Sequence, residues 1–136
     1  MNRKIVFQLS LFGLVMGFAT ISLIPQNIEP LFWLIIFIIS AYLIAKNCAG
    51  KYFMHGFFVS LLNSFWITFI HIIFFEKYLA NHSDEILMMS QLPLPYSPRI
   101  VMLMAGIPFG VAFGLILGLF AFFASKIVKR KNAHSN

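Results

Sequence analysis

Charge is what this sequence has least of. Lys and Arg number ten and Asp and Glu only four in 136 residues, about 10% of the chain, where soluble domains carry ~25%. The four acids are Glu29, Glu76, Asp84 and Glu85, and none lies within the long apolar runs. That excludes the embedded carboxylate on which proton-coupled transporters depend. Cysteine is nearly absent too. Cys48 stands alone, so no intrachain disulfide and no cysteine-based metal motif can form. No nucleophile–base pair, phosphate-cradling loop or paired-carboxylate site can be assembled, and no internal or inverted repeat is evident. The chain is therefore read as a non-enzyme with no cofactor.

What is present is apolar surface: 60% of the residues are hydrophobic and 17% aromatic. A bilayer core of ~30 Å is crossed by ~20 apolar helical residues. Runs of that kind cover 5–24, 31–49, 52–75 and 98–125, leaving a connection at 76–97 and a basic tail at 126–136. The expected fold is all-α, a single membrane domain built as an integral four-helix bundle. A signal peptide is disfavoured for the first run, which is long, has no A-x-A site after it and is followed almost at once by a second span. Pro25 and Pro30 make the first two helices a hairpin, with Pro30 in an opening turn where a missing N–H costs nothing. Gly50 is the expected stop after the second helix, and Tyr52 an interfacial anchor. Within the long connection, Ser83 is placed to cap a short surface helix.

Basic residues are sorted to one side of such a bundle. Arg3, Lys4, Lys46, Lys51, Lys126, Lys129, Arg130 and Lys131 fall on one side; Lys77, Arg99 and all four acids fall on the other. The positive-inside rule then places both termini in the cytoplasm of a multi-pass inner-membrane protein. The "KIVKRK" tail is expected to meet anionic lipid and not nucleic acid, since nothing globular or aromatic accompanies it.

Glycine marks where helices are expected to touch, because helix association in lipid relies on close packing and polar contacts. In "GIPFGVAFGLILG", Gly106, Gly110, Gly114 and Gly118 recur every fourth residue and trace a ridge sweeping ~120° around the fourth helix. The first helix offers Gly13 and Gly17, and the expectation is that these two glycine sets cross, within one chain or in a homo-oligomer. Pro108 leaves the carbonyl of Met104 without its helical partner, so a kink is expected there.

The third helix has the most polar face. Gly56, Ser60, Asn63, Ser64, Thr68 and His71 share an arc of ~140°, and Phe58, Val59, Leu62, Trp66, Phe69 and Ile73 take the other side, expected to meet lipid. His71 is placed to reach the Met104 carbonyl. A metal site with His82, Met88, Met89, Asp84 or Glu85 is the lesser reading, because these residues share no recognised ligand spacing. His55 and His134 sit too far across the bilayer to join them.

In size and span number the chain is similar to small multidrug transporters. Those rely on a first-helix carboxylate, where "VFQLSLFGLVMG" has only Gln8 and Ser10 as polar candidates. The motifs "HGFFVSLLNSFW", "FFEKYL" and the glycine-rich last helix ending in "KIVKRK" resemble a family of small four-span bacterial inner-membrane proteins without an assigned activity. That resemblance implies class and location and no site residues. The function expected is a structural, accessory or assembly component with a lipid, homo-oligomer or membrane-protein partner. The alternative is a small transporter or channel with a path along the polar face of the third helix; a holin-like pore former is more distant.

Overall fold

A computed structural model describes residues 1–93 and 95–134, with side chains only as far as residue 128. The described chain is all α: α1 (Arg3–Ser22), α2 (Glu29–Asn47), α3 (Tyr52–Ile73), α4 (Phe75–Asn81), α5 (Ser83–Gln91) and α6 (Pro98–His134). Four of these helices, α1, α2, α3 and α6 as far as Val128, are long and apolar enough to cross a membrane. The multi-pass membrane character of the chain rests on them. Asn2 caps α1 through its side-chain oxygen, which accepts from the Ile5 N–H, and Pro30 sits in the first turn of α2.

The connection at 76–97 is more ordered than a loop, since it contains α4 and α5. Ser83 does not cap α5; His82 holds the cap position and no side chain bonds there. The basic residues after 125 belong to α6 as well, which continues to His134 with Pro108 inside it. The expected lipid contacts of Lys129, Arg130 and Lys131 lie outside the described side chains, as does the side chain of His134.

The stop after α2 also differs. Gly50 has no positive φ; the left-handed position belongs to Lys51, at φ 53° and ψ 37°. A Cβ in that region costs ~1–2 kcal/mol. The Lys51 carbonyl is held by the backbone N–H of His55 at 3.0 Å and by its ring Nδ1 at 2.8 Å. His55 Nε2 accepts the Asn2 amide at 2.8 Å. Because the Asn2 amide can only donate, Nε2 is the acceptor and Nδ1 carries the ring proton. The start of α3 is thereby tied to the start of α1.

α3 is the central helix. α1 packs along one side of it and runs in the same direction, with Gly13 beside Asn63, Gly17 beside Ile67 and Ile70, and Thr20 beside His71. α6 packs along another side and runs oppositely, so that Gly106 faces Thr68, Gly110 faces Ser64, Gly114 faces Phe57 and Gly118 faces Phe53. The expected crossing of α1 with α6 is therefore corrected. Both glycine sets approach α3, where Gly13, Gly106 and Gly110 meet the polar residues Asn63, Thr68 and Ser64 and Gly17, Gly114 and Gly118 meet apolar ones. This position also buries Val59 completely, in a cluster with Leu9, Ile44 and Leu117, so it is not the lipid-facing residue its helical phase suggested. α2 closes the bundle against α6, with Phe37 packed edge-on to Phe113 and Phe120.

The approach to neighbouring backbone is closest at two glycines. A Cβ on Gly13 would lie 2.5 Å from the Asn63 Cα, and one on Gly56 would lie 2.6 Å from the Leu117 carbonyl oxygen, while Gly50 has open space around it. Carbon atoms in good contact stand ~3.5–4.0 Å apart, so backbone must move in the first two cases. Alanine favours a helix by ~1 kcal/mol over glycine, so these two substitutions should show the reverse of their intrinsic preference. Gly13→Ala and Gly56→Ala are each expected to lower stability in detergent by ~1–3 kcal/mol, with Gly50→Ala unchanged. Lys51→Gly should raise it by ~1 kcal/mol. Thermal melts followed by circular dichroism test all four.

Candidate functional site

The same α3 face that receives α6 also borders an empty space. A cavity of about 640 Å³ lies between α2, α3 and α6, with α4 and α5 at one end, within the ~300–1,000 Å³ range of small-molecule sites. Its α3 wall is Ser60, Asn63, Ser64, Ile67, Thr68 and His71. Spacings of three and four residues put these on one side of a helix. Gly56, the remaining member of the polar face, is not in the wall. It sits one turn below Ser60, against the α6 backbone.

The opposite wall is aromatic. Trp33 and Phe37, one turn apart on α2, line it together with Phe109, Phe113 and Phe120 of α6, and Phe37 packs edge-on against Phe113 and Phe120. Leu34 and Phe109 line it while being 48% and 62% exposed, so protein does not cover the apolar side. In a bilayer that side meets lipid.

Polar groups collect at the end beneath α4 and α5. Glu29 accepts from Trp33 Nε1 at 3.1 Å. Glu85 accepts from the Tyr78 hydroxyl at 2.5 Å and from the Gln26 amide at 3.3 Å. The Tyr78 ring is sandwiched between His71 and His82, at centroid distances of 4.1 and 4.0 Å. Both carboxylates line the cavity and no Lys or Arg does. The cavity is therefore acidic at this mouth, hydroxyl- and amide-lined along one wall and apolar along the other.

Two buried side chains in the wall have their orientation fixed by α1. The Thr20 hydroxyl donates to the Met16 carbonyl at 2.7 Å, which leaves its oxygen to accept from His71 Nε2 at 2.8 Å. His71 is thus bound to α1 and makes no bond to the Met104 carbonyl, in correction of the expected pairing. The carbonyl held near Pro108 is that of Gly106, which accepts from the Ser64 hydroxyl at 2.6 Å. Asn63 Oδ1 accepts the Gly13 N–H at 2.9 Å. A flipped amide would set donor against donor, so the assignment is determined, and Nδ2 is left buried without a partner.

The chain matches no family model, no curated protein and no solved structure. What the cavity does must be argued from its walls alone. Among the described residues no three His, Cys, Asp or Glu side chains converge as metal ligands would. Sequence reasoning found the α3 wall but missed Glu29, Trp33, Phe37, Tyr78 and Glu85. The i,i+4 pair of Glu29 and Trp33 was a signal available in the sequence; the contact of Tyr78 with His71 depends on the break at Phe74 and had none.

Burial, and then the hydrogen bond to Glu85, push the Tyr78 phenol well above its ordinary value. The folded chain therefore keeps a proton that the unfolded chain loses near pH ~10. Unfolding then releases that proton, and stability falls as pH rises from about 10 upward. Tyr78→Phe should flatten this slope relative to the wild type in melts taken between pH 8 and 11; an identical slope would mean the phenol is free to ionise.

Proposed function

We propose that the protein is a membrane-embedded binding protein that holds an amphiphilic molecule, acting as an accessory component and not as an enzyme. The observation that carries this is a one-sided cavity with a polar wall on α3 and an apolar side left open between Leu34 and Phe109. An amphiphile needs both surfaces, and a side entrance lets its tail stay in lipid. The tight contact of α3 with α6 favours holding over conduction. A path continuing between these two helices would have to pass Gly56, where the α6 backbone is too near to admit even a methyl group. The distribution of Lys and Arg supports both termini in the cytoplasm and an inner-membrane location, which puts the cavity mouth on the far side. The likeness to small four-span bacterial proteins is consistent with this placement and adds no activity.

Native mass spectrometry of the protein released from mild detergent tests the proposal. The wild type should carry one amphiphile per chain or take one up from an added lipid mixture. Ala105→Trp, which fills the cavity from α6, should lose it at an unchanged melting temperature. A wild type that neither retains nor takes up such a molecule refutes the reading.

A further inference from the structure

The cavity's charge distribution says more than that its ligand is amphiphilic. We infer that it selects a cationic amphiphile: a protonated or quaternary amine head at the Glu29 and Glu85 mouth and an apolar tail between α2 and α6. This rests on the binding reading above and specifies its ligand class.

Two observations converge on it. First, the lining contains two carboxylates and no Lys or Arg to neutralise them; the ion pair of Arg99 with Glu76 at 3.5 Å lies outside the cavity with its side chains 54% and 85% exposed. Anionic head groups are repelled from such a mouth, and cations are drawn to it. Second, Trp33 lines the same end and is hydrogen-bonded to Glu29 through its indole nitrogen, which places an aromatic ring beside the carboxylate. Carboxylate with indole is a combination that suits an alkylammonium group, whose charge is spread over methyl or methylene surface.

The test uses three probes that share a lauroyl carbonyl and tail and differ in head charge: lauroylcholine, monolauroylglycerol and N-lauroylsarcosine. The protein is reconstituted in nanodiscs with Trp66→Phe, so that Trp33 is the remaining tryptophan, and its fluorescence is followed on titration. Lauroylcholine should saturate at a concentration ~10-fold or more below N-lauroylsarcosine, with monolauroylglycerol between them. Glu29→Gln with Glu85→Gln should bring the three within about twofold while monolauroylglycerol still binds. Glu76→Gln, which removes an acid outside the cavity, should leave the order intact and so exclude a general surface-charge effect. If the double variant does not fold, the single variants each carry the test, and each should lose part of the preference. Equal binding of all three probes to the wild type, or a charge order that survives in the variants, overturns the cationic assignment and leaves the binding reading standing. No saturable change with any probe overturns both.

Discussion

The contact between Gly13 and Asn63 is the one on which the remaining arrangement depends. In lipid, helices gain nothing from hiding apolar surface from one another, so each pair must be joined by close packing or polar bonds. Here both occur at one point. The missing Cβ of Gly13 lets α1 approach the α3 backbone, and that approach brings its N–H within 2.9 Å of the Asn63 oxygen. Ser10, which accepts from Trp66 at 3.3 Å, and Thr20, which accepts from His71, bind α3 to either side of it. The consequence reaches the cavity. By claiming the amide oxygen, α1 leaves the amide nitrogen of a cavity-wall residue unpaired, although α1 itself contributes nothing to the cavity lining.

α3 then divides the bundle by depth. Toward its start, Gly56 meets backbone and Phe53 and Phe57 pack on Gly118 and Gly114, so the interface with α6 is dry and tight. From Ser60 onward the two helices stay close, with Gly110 on Ser64, Gly106 on Thr68 and the Ser64 hydroxyl bonded to the Gly106 carbonyl at 2.6 Å, and the space opens on the side toward α2. The joined pair of α3 and α6 is thus one continuous support for the cavity that α2 borders.

Much of this was legible in the sequence. The lengths of the apolar runs identified the four long helices, and helical phase assembled the α3 face, five of whose six residues line the cavity while the sixth, Gly56, packs on the α6 backbone. Phase cannot say which helix a face meets, and for that reason Gly13 and Gly17 were matched to the wrong partner. It also treats a helix as having one buried side, whereas α3 is covered by α1 and α6 in different directions and so buries Val59. Gly50 was expected as the stop after α2 because glycine has the intrinsic preference for such positions, whereas the left-handed residue is Lys51, and the carbonyl bonds from His55 that hold it in place depend on α3 already being formed.

The mouth of the cavity is organised before anything enters it. Glu85 is on α5, and its two oxygens are bonded to Tyr78 of α4 and to Gln26 of the α1–α2 connection, so one carboxylate joins α5 to the helix before it and to a connection 59 residues earlier. Tyr78 is itself held by stacking between a histidine of α3 and the residue that precedes α5. The position of Glu85 is therefore set by the bundle and not by the short helix that carries it. A carboxylate has about four lone-pair directions, and Glu85 and Glu29 use two and one of them in these bonds. Both can accept further hydrogen bonds or face a cation without releasing the contacts that orient them. A rim built this way is preorganised for charge at its opening, which a carboxylate on a loose connection between α3 and α6 would not be.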